Sequence, residues 1–467
     1  MTRRIRLNLG LLGLAALLAA LLAAGCGGDE AADRPSGRAA ERTAAHAAPA
    51  RPNIVLIVTD DHRADALGAA GHPDLRTPNL DRLAAEGVRF TNAFVTTSLC
   101  SPSRASILTG QWAHSHGVVA NETADPPADL PTVATELQRA GYRTAFIGKW
   151  HMLRKATPRP GFDTWQSFTG QGDYFRNTWY DDGEWRLSHE YVTDEISRRA
   201  AAHIAAAGPE PFLLIVSHKA VHEPFFPAER HREAFAGRDL APPAAAAGGP
   251  DRRPDWGDRV GHADAAEHVR DYYRTLLAVD EGVGTILAAL EERGILDETI
   301  VVYTGDNGYL LGEHGGLWDK RAAYEASIRV PLLMRYPALA QGAVADALVL
   351  NVDIAPSLLD LAGVAPPPTM QGASWRGVLA GEPGRDAFLY EYFREIGQVP
   401  TILAVRTRDW KLVTYPENPE LGGELYDLRG DPGELVDLWG ARDHAATRAR
   451  LEERLRAECE ATGYPVR

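Results

Sequence analysis

Short apolar segments alternate with amphipathic segments along most of the chain. Four segments are nearly continuous runs of Val, Ile, Leu and Phe, at residues 53–61, 143–151, 211–218 and 299–307. Runs of this length are typical of strands that helices cover on both faces, as in parallel sheets. Helical patterns separate them, at residues 79–86, 130–140, 193–206 and 269–293. The pattern predicts an α/β protein with a large mixed, mostly parallel sheet sandwiched by helices.

The pattern changes towards the C-terminus. Segments at residues 388–393, 403–415 and 424–428 favour antiparallel strands, and a helical pattern covers residues 448–461. We therefore predict a catalytic domain at residues 52–385, followed by a smaller C-terminal α+β subdomain at residues 386–467.

Two segments without a regular period are predicted to be long loops, which are often functional in compact domains. They are residues 154–191, which are rich in aromatic side chains, and residues 238–262, which are rich in Pro, Ala and Gly. The aromatic side chains could stack on a sugar or pack the loop against the body of the protein.

The N-terminus has the features of an export signal. Basic residues precede an apolar Leu/Ala run that reaches residue 24. The run ends in Leu-Ala-Ala-Gly-Cys26, which resembles the lipobox of bacterial lipoproteins, where the cysteine is acylated. This predicts a signal peptide at residues 1–25, a flexible tether at 26–51 and an exported protein, periplasmic or on the cell surface, with a lipid anchor at Cys26. The alternative is ordinary signal-peptidase cleavage.

Composition narrows the function further. The formal charge of -14 argues against nucleic acid as a partner. The other two of the three cysteines are Cys100 and Cys459. A disulfide between them is one alternative in an oxidising compartment, and Cys459 otherwise fits a half-buried position on the last helix.

The apolar runs end in polar and ionisable residues. Because open α/β sheets bind ligands beyond the carboxyl ends of their strands, we expect these side chains to meet there. The oxygen ligands among them suit a hard cation, and we predict Ca²⁺ in preference to Mg²⁺. The side chains that we expect to meet beyond the strand ends are Asp60, Asp61, Lys149, His151, His222, Asp306 and Asn307.

Cys100 begins the segment Cys100-Ser-Pro-Ser-Arg104, directly before an apolar helical pattern. The N-terminus of a helix favours bound anions. A nucleophile at this position, beside a metal and the cations of Arg104, Lys149 and Lys320, indicates transfer of a phosphoryl-like or sulfuryl group.

The segment from Cys100 to Arg104, followed by Leu-Thr-Gly at 108–110, resembles the signature of the type I sulfatases of the alkaline phosphatase superfamily. In that family a maturation enzyme oxidises the cysteine to formylglycine (3-oxoalanine). The resemblance spans residues 51–434 and includes further motifs. These are Asp60-Asp61, Gly-Lys-Trp-His at 148–151, Ser-His-Lys-Ala-Val-His at 217–222, Gly-Asp-Asn-Gly at 305–308, and the segment from His314 to Lys320.

The resemblance implies a role for each matching residue. Arg104 and Lys149 would hold formylglycine and sulfate, and Lys320 would bind sulfate on the leaving-group side. His222 would protonate the leaving alcohol. His151 would deprotonate the second hydroxyl of the formylglycine hydrate, which then expels sulfate. The implied metal ligands are Asp60, Asp61, Asp306, Asn307 and the modified Cys100.

The resulting hypothesis is a sulfuric ester hydrolase acting on a sulfated carbohydrate, most similar to N-acetylglucosamine-6-sulfatases and mucin-desulfating enzymes. Its partners would be the sulfated sugar and a formylglycine-generating enzyme. One alternative is a phosphonate monoester or phosphodiester hydrolase of the same superfamily. Another is a lipid-anchored glycan-binding protein without turnover.

Several neighbouring residues have alternative roles. His218 competes with His222 for the role of the acid, although the resemblance favours His222. His114 and His116 could line the pocket or pack a loop. Glu325 and Arg329, four residues apart, predict an ion pair on one helical face.

Overall fold

The computed structural model describes residues 51–238, 240, 264–395 and 399–465. Residues 47–467 form one unit by their contacts. The predicted signal peptide, Cys26, nearly all of the tether and most of segment 238–262 lie outside the described residues. Within the described ranges, no helix is long and apolar enough to cross a membrane.

Two sheets organise the described part of the chain. The larger sheet has ten strands in the order β10-β2-β9-β8-β1-β7-β3-β4-β5-β6, and the smaller has four in the order β11-β12-β13-β14. The strands are β1 (Asn53–Thr59), β2 (Val88–Phe94), β3 (Arg143–Lys149), β4 (Thr164–Phe168), β5 (Asn177–Asp181), β6 (Glu184–Ser188), β7 (Phe212–Ser217), β8 (Thr299–Gly305), β9 (Leu332–Arg335), β10 (Ala343–Leu350), β11 (Ala387–Tyr392), β12 (Ile402–Thr407), β13 (Trp410–Thr414) and β14 (Gly423–Asp427).

Helices flank the larger sheet, and one further helix follows the last strand of the smaller sheet. They are α1 (Pro78–Glu86), α2 (Cys100–Thr109), α3 (Ala113–His116), α4 (Val133–Arg139), α5 (Val192–Ala206), α6 (Ala265–Glu292), α7 (Glu313–Gly316), α8 (Glu325–Ile328), α9 (Ile354–Leu361), α10 (Arg376–Leu379) and α11 (Ala445–Thr462).

The centre of the larger sheet is parallel and buried on both faces. Strand β1 pairs in parallel with β7 on one side and β8 on the other, and β3 pairs in parallel with β7. Alternate residues of β1 enter two different cores. Leu56 lies in the cluster that contains residues of α2, α4 and α9, whereas Ile57 lies with residues of α5 and α6. This arrangement confirms the predicted α/β fold class and explains the continuous apolar runs.

The smaller antiparallel sheet shares a core with the larger one. Phe388 of β11 packs against Phe94 of β2, with ring centroids 5.1 Å apart, and both belong to the cluster that includes Leu451 and Cys459 of α11. The smaller C-terminal sheet predicted from the sequence is therefore present. The proposed boundary at residue 385 stays a prediction.

Three local predictions were wrong. Segment 154–191 is not an irregular loop, because it holds β4, β5 and β6. Segment 403–415 is not one strand but the hairpin of β12 and β13. The predicted ion pair does not form because α8 ends at Ile328. Glu325 instead pairs with Arg406 and Lys411, and Arg329 donates to the backbone oxygen of Thr91 at 2.9 Å.

Candidate active site

The candidate site lies at the carboxyl ends of four adjacent strands, β8, β1, β7 and β3. Asp60 and Asp61 follow β1, Asp306 and Asn307 follow β8, and Lys149 is the last residue of β3. Backbone hydrogen bonds continue the sheet here, since the N–H of Asp306 donates to the oxygen of Thr59 at 2.8 Å. Parallel pairing therefore brings together the polar residues that the sequence places at separate strand ends.

Oxygen atoms dominate one side of the site. Asp60, Asp61, Asp306 and Cys100 each offer a ligand atom within 4.8 Å of the others. Asn307 lies beside them and donates its Nδ2 to Oδ1 of Asp61 at 2.5 Å. The Oδ2 of Asp61 and the Oδ1 of Asn307 are buried and have no hydrogen-bond partner among the described residues. Orphaned buried oxygens are costly, and this donor set fits a hard divalent cation.

The pKa values of Asp60 and Asp61 depend on the positive charges nearby, which stabilise the ionised carboxylates against burial. Burial would raise the pKa of Asp60, but the cations of Lys149 and Lys320, with others, hold it well below its ordinary value. Burial raises the pKa of Asp61 to about 7 despite Lys320, and the charges of Asp60 and Asp306 add to this rise. A bound divalent cation would keep all three carboxylates ionised.

Cys100 is the first residue of α2 and is fully buried. Its thiol donates to Oδ1 of Asp60 at 3.2 Å, and the Nζ of Lys320 donates to its Sγ at 2.9 Å. Pro102 fits in the first turn of α2, where a backbone N–H has no partner within the helix. Burial and Asp60 raise the pKa of the thiol to about 12, so the unmodified cysteine stays neutral at pH 7.

Three buried cations surround the cysteine. Arg104 donates its Nε to Oδ2 of Asp306 at 2.8 Å, and its Nη2 has no hydrogen-bond partner among the described residues. Lys149 contacts the carboxylate of Asp60, and Lys320 donates to Oδ1 of Asp61 at 2.6 Å. Burial would lower the pKa of Lys320, but Asp61 and Cys100 outweigh it and raise the pKa well above its ordinary value. Lys320 therefore stays charged.

Two histidines predicted from the sequence lie beside this cluster. A ring nitrogen of His222 lies within 4.8 Å of ligand atoms of Asp60 and Cys100. His151 has its Nε2 3.4 Å from Oε1 of Glu122, while its Nδ1 is buried without a hydrogen-bond partner in the described part of the chain. Burial, together with nearby lysines, lowers the pKa of both histidines, so both are neutral at pH 7.

His114 and His116 form hydrogen bonds that connect neighbouring segments of the fold. His114 bridges Glu391 and the backbone oxygen of Thr462, at 2.7 and 2.9 Å. His116 bonds Ser106 of α2 at 3.1 Å. His218 is fully buried within the fold, and its backbone N–H donates to β1.

Cys100 and Cys459 are both free, so the alternative of a disulfide between them was wrong. Cys459 is buried on α11.

Gln171 is a site residue that the sequence reasoning missed. Its Oε1 accepts from Nζ of Lys149, and its Nε2 lies 3.1 Å from Nε2 of His222. It comes from the aromatic segment that was predicted to be a loop. The flanking glycines, Gly170 and Gly172, have φ values of 58° and 65°. A Gly-Gln-Gly triplet in that segment was the available signal, because such backbone angles favour glycine.

Comparison with known proteins supports one family. The sulfatase family model matches residues 52–364, and the model of the C-terminal region of N-sulphoglucosamine sulphohydrolase matches residues 312–461. The N-acetylglucosamine-6-O-sulfatase of Bacteroides thetaiotaomicron is 34% identical to this chain in an alignment that covers 87% of this chain and 86% of that protein. The ulvan-active sulfatase of Formosa agariphila is 31% identical over 426 residues, covering 87% and 81% of the two chains.

Solved structures agree with this result. A structure described as a complex with its substrate, D-glucosamine-2-N,6-O-disulfate, has a TM-score of 0.83 at 32% identity and covers 89% of this chain and 99% of that chain. The phosphonate monoester hydrolase of Agrobacterium radiobacter has a TM-score of 0.73 at 23% identity, covering 88% and 96% of the two chains, and thus shares the fold alone. On the sequence and structural matches together, the chain belongs to the sulfatase family, whose members hydrolyse sulfuric esters.

Proposed function

We propose that this sulfatase hydrolyses a sulfate ester of an amino sugar within a glycan or glycosaminoglycan fragment, with formylglycine made from Cys100 as the nucleophile. One observation carries the proposal: Cys100 is buried at a helix N-terminus between the carboxylate of Asp60 and the ammonium of Lys320. The sugar class is supported by relatives named for N-acetylglucosamine 6-O-sulfate and by the neighbour described with a glucosamine disulfate.

The protonation state of Cys100 supports its modification. A thiol whose pKa is raised to about 12 carries almost no thiolate at pH 7 and is a poor nucleophile. Oxidation by a separate maturation enzyme would give an aldehyde, and its hydrate would supply one hydroxyl for attack on sulfur and a second for expelling sulfate.

A resident calcium ion would occupy the oxygen cluster, with magnesium the less favoured occupant. The ligands would be Asp60, Asp61, Asp306, Asn307 and the modified Cys100. The ion would supply positive charge that stabilises negative oxygens on the nucleophile and on the sulfuryl group. The buried orphan oxygens of Asp61 and Asn307 are the observations that favour this placement.

The cations of the site would bind the sulfate group. The Nη2 of Arg104 lies 3.5 Å from Oδ2 of Asp60 but makes no hydrogen bond within the described residues, so it would be a donor for the sulfate group. Lys149 and Lys320 place two further charges beside Asp60 and Asp61. Charged donors fixed in a buried site stabilise a developing oxyanion more strongly than donors in water do.

The two histidines would move protons. Neutral His151 can accept a proton from a hydroxyl of the nucleophile. His222 would protonate the departing sugar oxygen, helped by Lys320. Since burial and Lys320 lower its pKa, His222 is a strong donor once it is protonated.

We further propose that the protein is exported and anchored through a lipid on Cys26. The support is the basic and then apolar pattern of residues 1–24 and the lipobox-like sequence before Cys26. Radiolabelled palmitate should enter the wild-type protein and should not enter a Cys26→Ala variant. Equal labelling of both proteins would refute the anchor.

The test of the proposed function is sulfate release from a panel of sulfated sugars and a phosphodiester, with calcium present. We expect release from 6-sulfated N-acetylglucosamine or from glucosamine 2-N,6-O-disulfate, and none from a Cys100→Ala variant. Faster cleavage of the phosphodiester would instead assign the hydrolase alternative. Sugar binding without any release, by protein that carries formylglycine, would assign the glycan-binding alternative.

A further inference from the structure

We propose that Lys219 binds a second anionic group of the substrate, carried by the sulfated sugar itself or by the sugar next to it. The enzyme would therefore prefer glycan fragments with two negative charges. The inference rests on the proposed function, from which the sulfated sugar and the direction of the leaving group come. Lys219 lies on the turn that follows β7, and no role was predicted for it from the sequence.

Lys219 is a buried cation without a counter-ion. The residue is 4% exposed, and its ammonium makes no hydrogen bond and no ion pair with any residue that the structure describes. Its Nζ lies over the ring of Tyr174, 5.0 Å from the ring centroid. The other buried lysines, Lys149, Lys320 and Lys411, each have a carboxylate partner. A buried charge is costly when it is unpaired, so this ammonium is suited to an anion from outside the protein.

The charges around Lys219 do not compensate it. Burial and the charge of Lys149 lower the pKa of Lys219 to about 8, so the ammonium is charged at pH 7. Asp60, Asp61 and Asp173 attract that charge, but none of them forms an ion pair with it. A bound anion would supply the missing compensation.

The position of Lys219 points to the sugar. The turn that carries Lys219 also carries His222, whose backbone N–H donates to the backbone oxygen of Lys219 at 3.1 Å. The hydroxyl of Tyr174 donates to the backbone oxygen of His222 at 2.8 Å. The side chain of His222 is 19% exposed, so the turn runs from the interior towards solvent. Because His222 would protonate the departing sugar oxygen, Lys219 lies on the side of the site where the sugar would bind.

The released sulfate has other cations. Lys320 donates to Sγ of Cys100 at 2.9 Å, whereas Lys219 has no contact with Cys100. A sulfate ester carries one negative charge, and Arg104, Lys149 and Lys320 already surround the position of the nucleophile. A further cation on the sugar side fits a different oxyanion. An N-sulfate group on the same ring and the carboxylate of an adjoining acidic sugar both offer oxygens that an ammonium binds.

The test measures binding by calorimetry in Cys100→Ala protein with saturating calcium, so the result does not depend on turnover. The singly charged ligand is 6-sulfated N-acetylglucosamine. The doubly charged ligands are glucosamine 2-N,6-O-disulfate and a disaccharide of a uronic acid with 6-sulfated N-acetylglucosamine.

Adding Lys219→Met should weaken the binding of at least one doubly charged ligand about 10- to 100-fold, as expected for the loss of a charged hydrogen bond. The singly charged sugar should lose less than about threefold. The ligand that loses affinity identifies the source of the anion, N-sulfate or carboxylate. Lys219→Arg keeps the charge and should retain most of the affinity.

Arg139→Met is the control for the loss of a positive charge alone. The side chain of Arg139 is 65% exposed and lies just before β3 begins, at the opposite end of that strand from Lys149. This control should leave all three affinities unchanged.

Three results would overturn the role of Lys219. They are equal weakening of all three ligands by Lys219→Met, no weakening of any, and no binding of either doubly charged ligand by the parent protein. Failure of the proposed function has a different signature. Formylglycine-containing protein would then release no sulfate from these sugars, while the calorimetric effect of Lys219→Met on the doubly charged ligands would remain.

Discussion

The residues around Cys100 form a set of opposed buried charges. Asp60, Asp61 and Asp306 are fully buried, and at most 5% of Arg104, Lys149 and Lys320 is exposed. Placing so many ionisable groups out of water is costly unless they are paired, so such a cluster is better explained by function than by stability. Because each cation is paired with a carboxylate, the cations can stay ionised in the buried site and can bind an anionic ester.

Replacement of Cys100 by serine tests the need for formylglycine. Cys100→Ser keeps a nucleophilic oxygen, but a simple hydroxyl ester has no second oxygen that could expel sulfate. We therefore expect no steady turnover and at most one sulfuryl group retained per protein. Intact-protein mass spectrometry after incubation with substrate measures this adduct. Multiple turnovers by Cys100→Ser would contradict the assignment.

Replacement of Asp61 by asparagine tests the metal site. Because the pKa of Asp61 is raised to about 7 by burial and by Asp60 and Asp306, its charge destabilises the metal-free protein at neutral pH. Asp61→Asn should therefore raise the melting temperature of metal-free protein at pH 7.5 and weaken calcium binding about tenfold or more.

Calorimetry of calcium binding and thermal unfolding in chelator provide the two readouts for this variant. Asp81→Asn, a change of an acidic residue on α1, is the control. Unchanged calcium affinity in Asp61→Asn would remove Asp61 from the ligand set.

At the scale of elements, the sequence predicts the parts that are uniformly buried. Strands β1, β3, β7 and β8 have apolar residues on both faces, so their runs are unambiguous, and the polar residues at their ends could be expected to meet. Strands β4 to β6 escaped prediction because they lie at the edge of the sheet, where β6 is largely exposed and its sequence is polar. Gln171 was missed because it lies on the connection between β4 and β5, which the sequence did not predict to be strands.

The core shared by the two sheets gives a prediction about stability. Phe388 of β11 is 1% exposed and packs on Phe94. Phe388→Ala should destabilise the whole protein by about 3–5 kcal/mol, because it leaves a cavity in a core common to both sheets. The free energy of unfolding in urea measures this, with Phe175→Ala as the control, since 41% of Phe175 is exposed. A loss confined to the C-terminal strands would contradict the common core.

At the scale of the whole molecule, buried neutral histidines contribute to the response to acid. Burial lowers the pKa of His62 and of His218 to about 4, and that of His116 to about 3. The Nδ1 of His116 accepts from the backbone N–H of Val118 at 3.1 Å, so protonation there breaks a hydrogen bond. These groups bind protons more readily when the chain is unfolded.

The sign of the pH effect follows from these depressed values. The contribution of these three histidines to stability is fully present above pH 6.5, the ordinary pKa of histidine, and is lost as the pH falls towards 4, by up to about 1.4 kcal/mol per pH unit for each histidine. Thermal unfolding with saturating calcium measures this slope. In His116→Gln the slope should be smaller, whereas an unchanged slope would show that His116 does not contribute.

The central claim is that formylglycine at residue 100 catalyses sulfate release from a sulfated amino sugar. The most direct measurement is the rate of sulfate release from 6-sulfated N-acetylglucosamine across samples whose formylglycine content is set by the amount of co-expressed maturation enzyme and determined by peptide mass. We predict that the rate rises in proportion to the formylglycine fraction and extrapolates to zero for unmodified Cys100. A rate independent of that fraction, or no release from fully modified protein, would contradict the account.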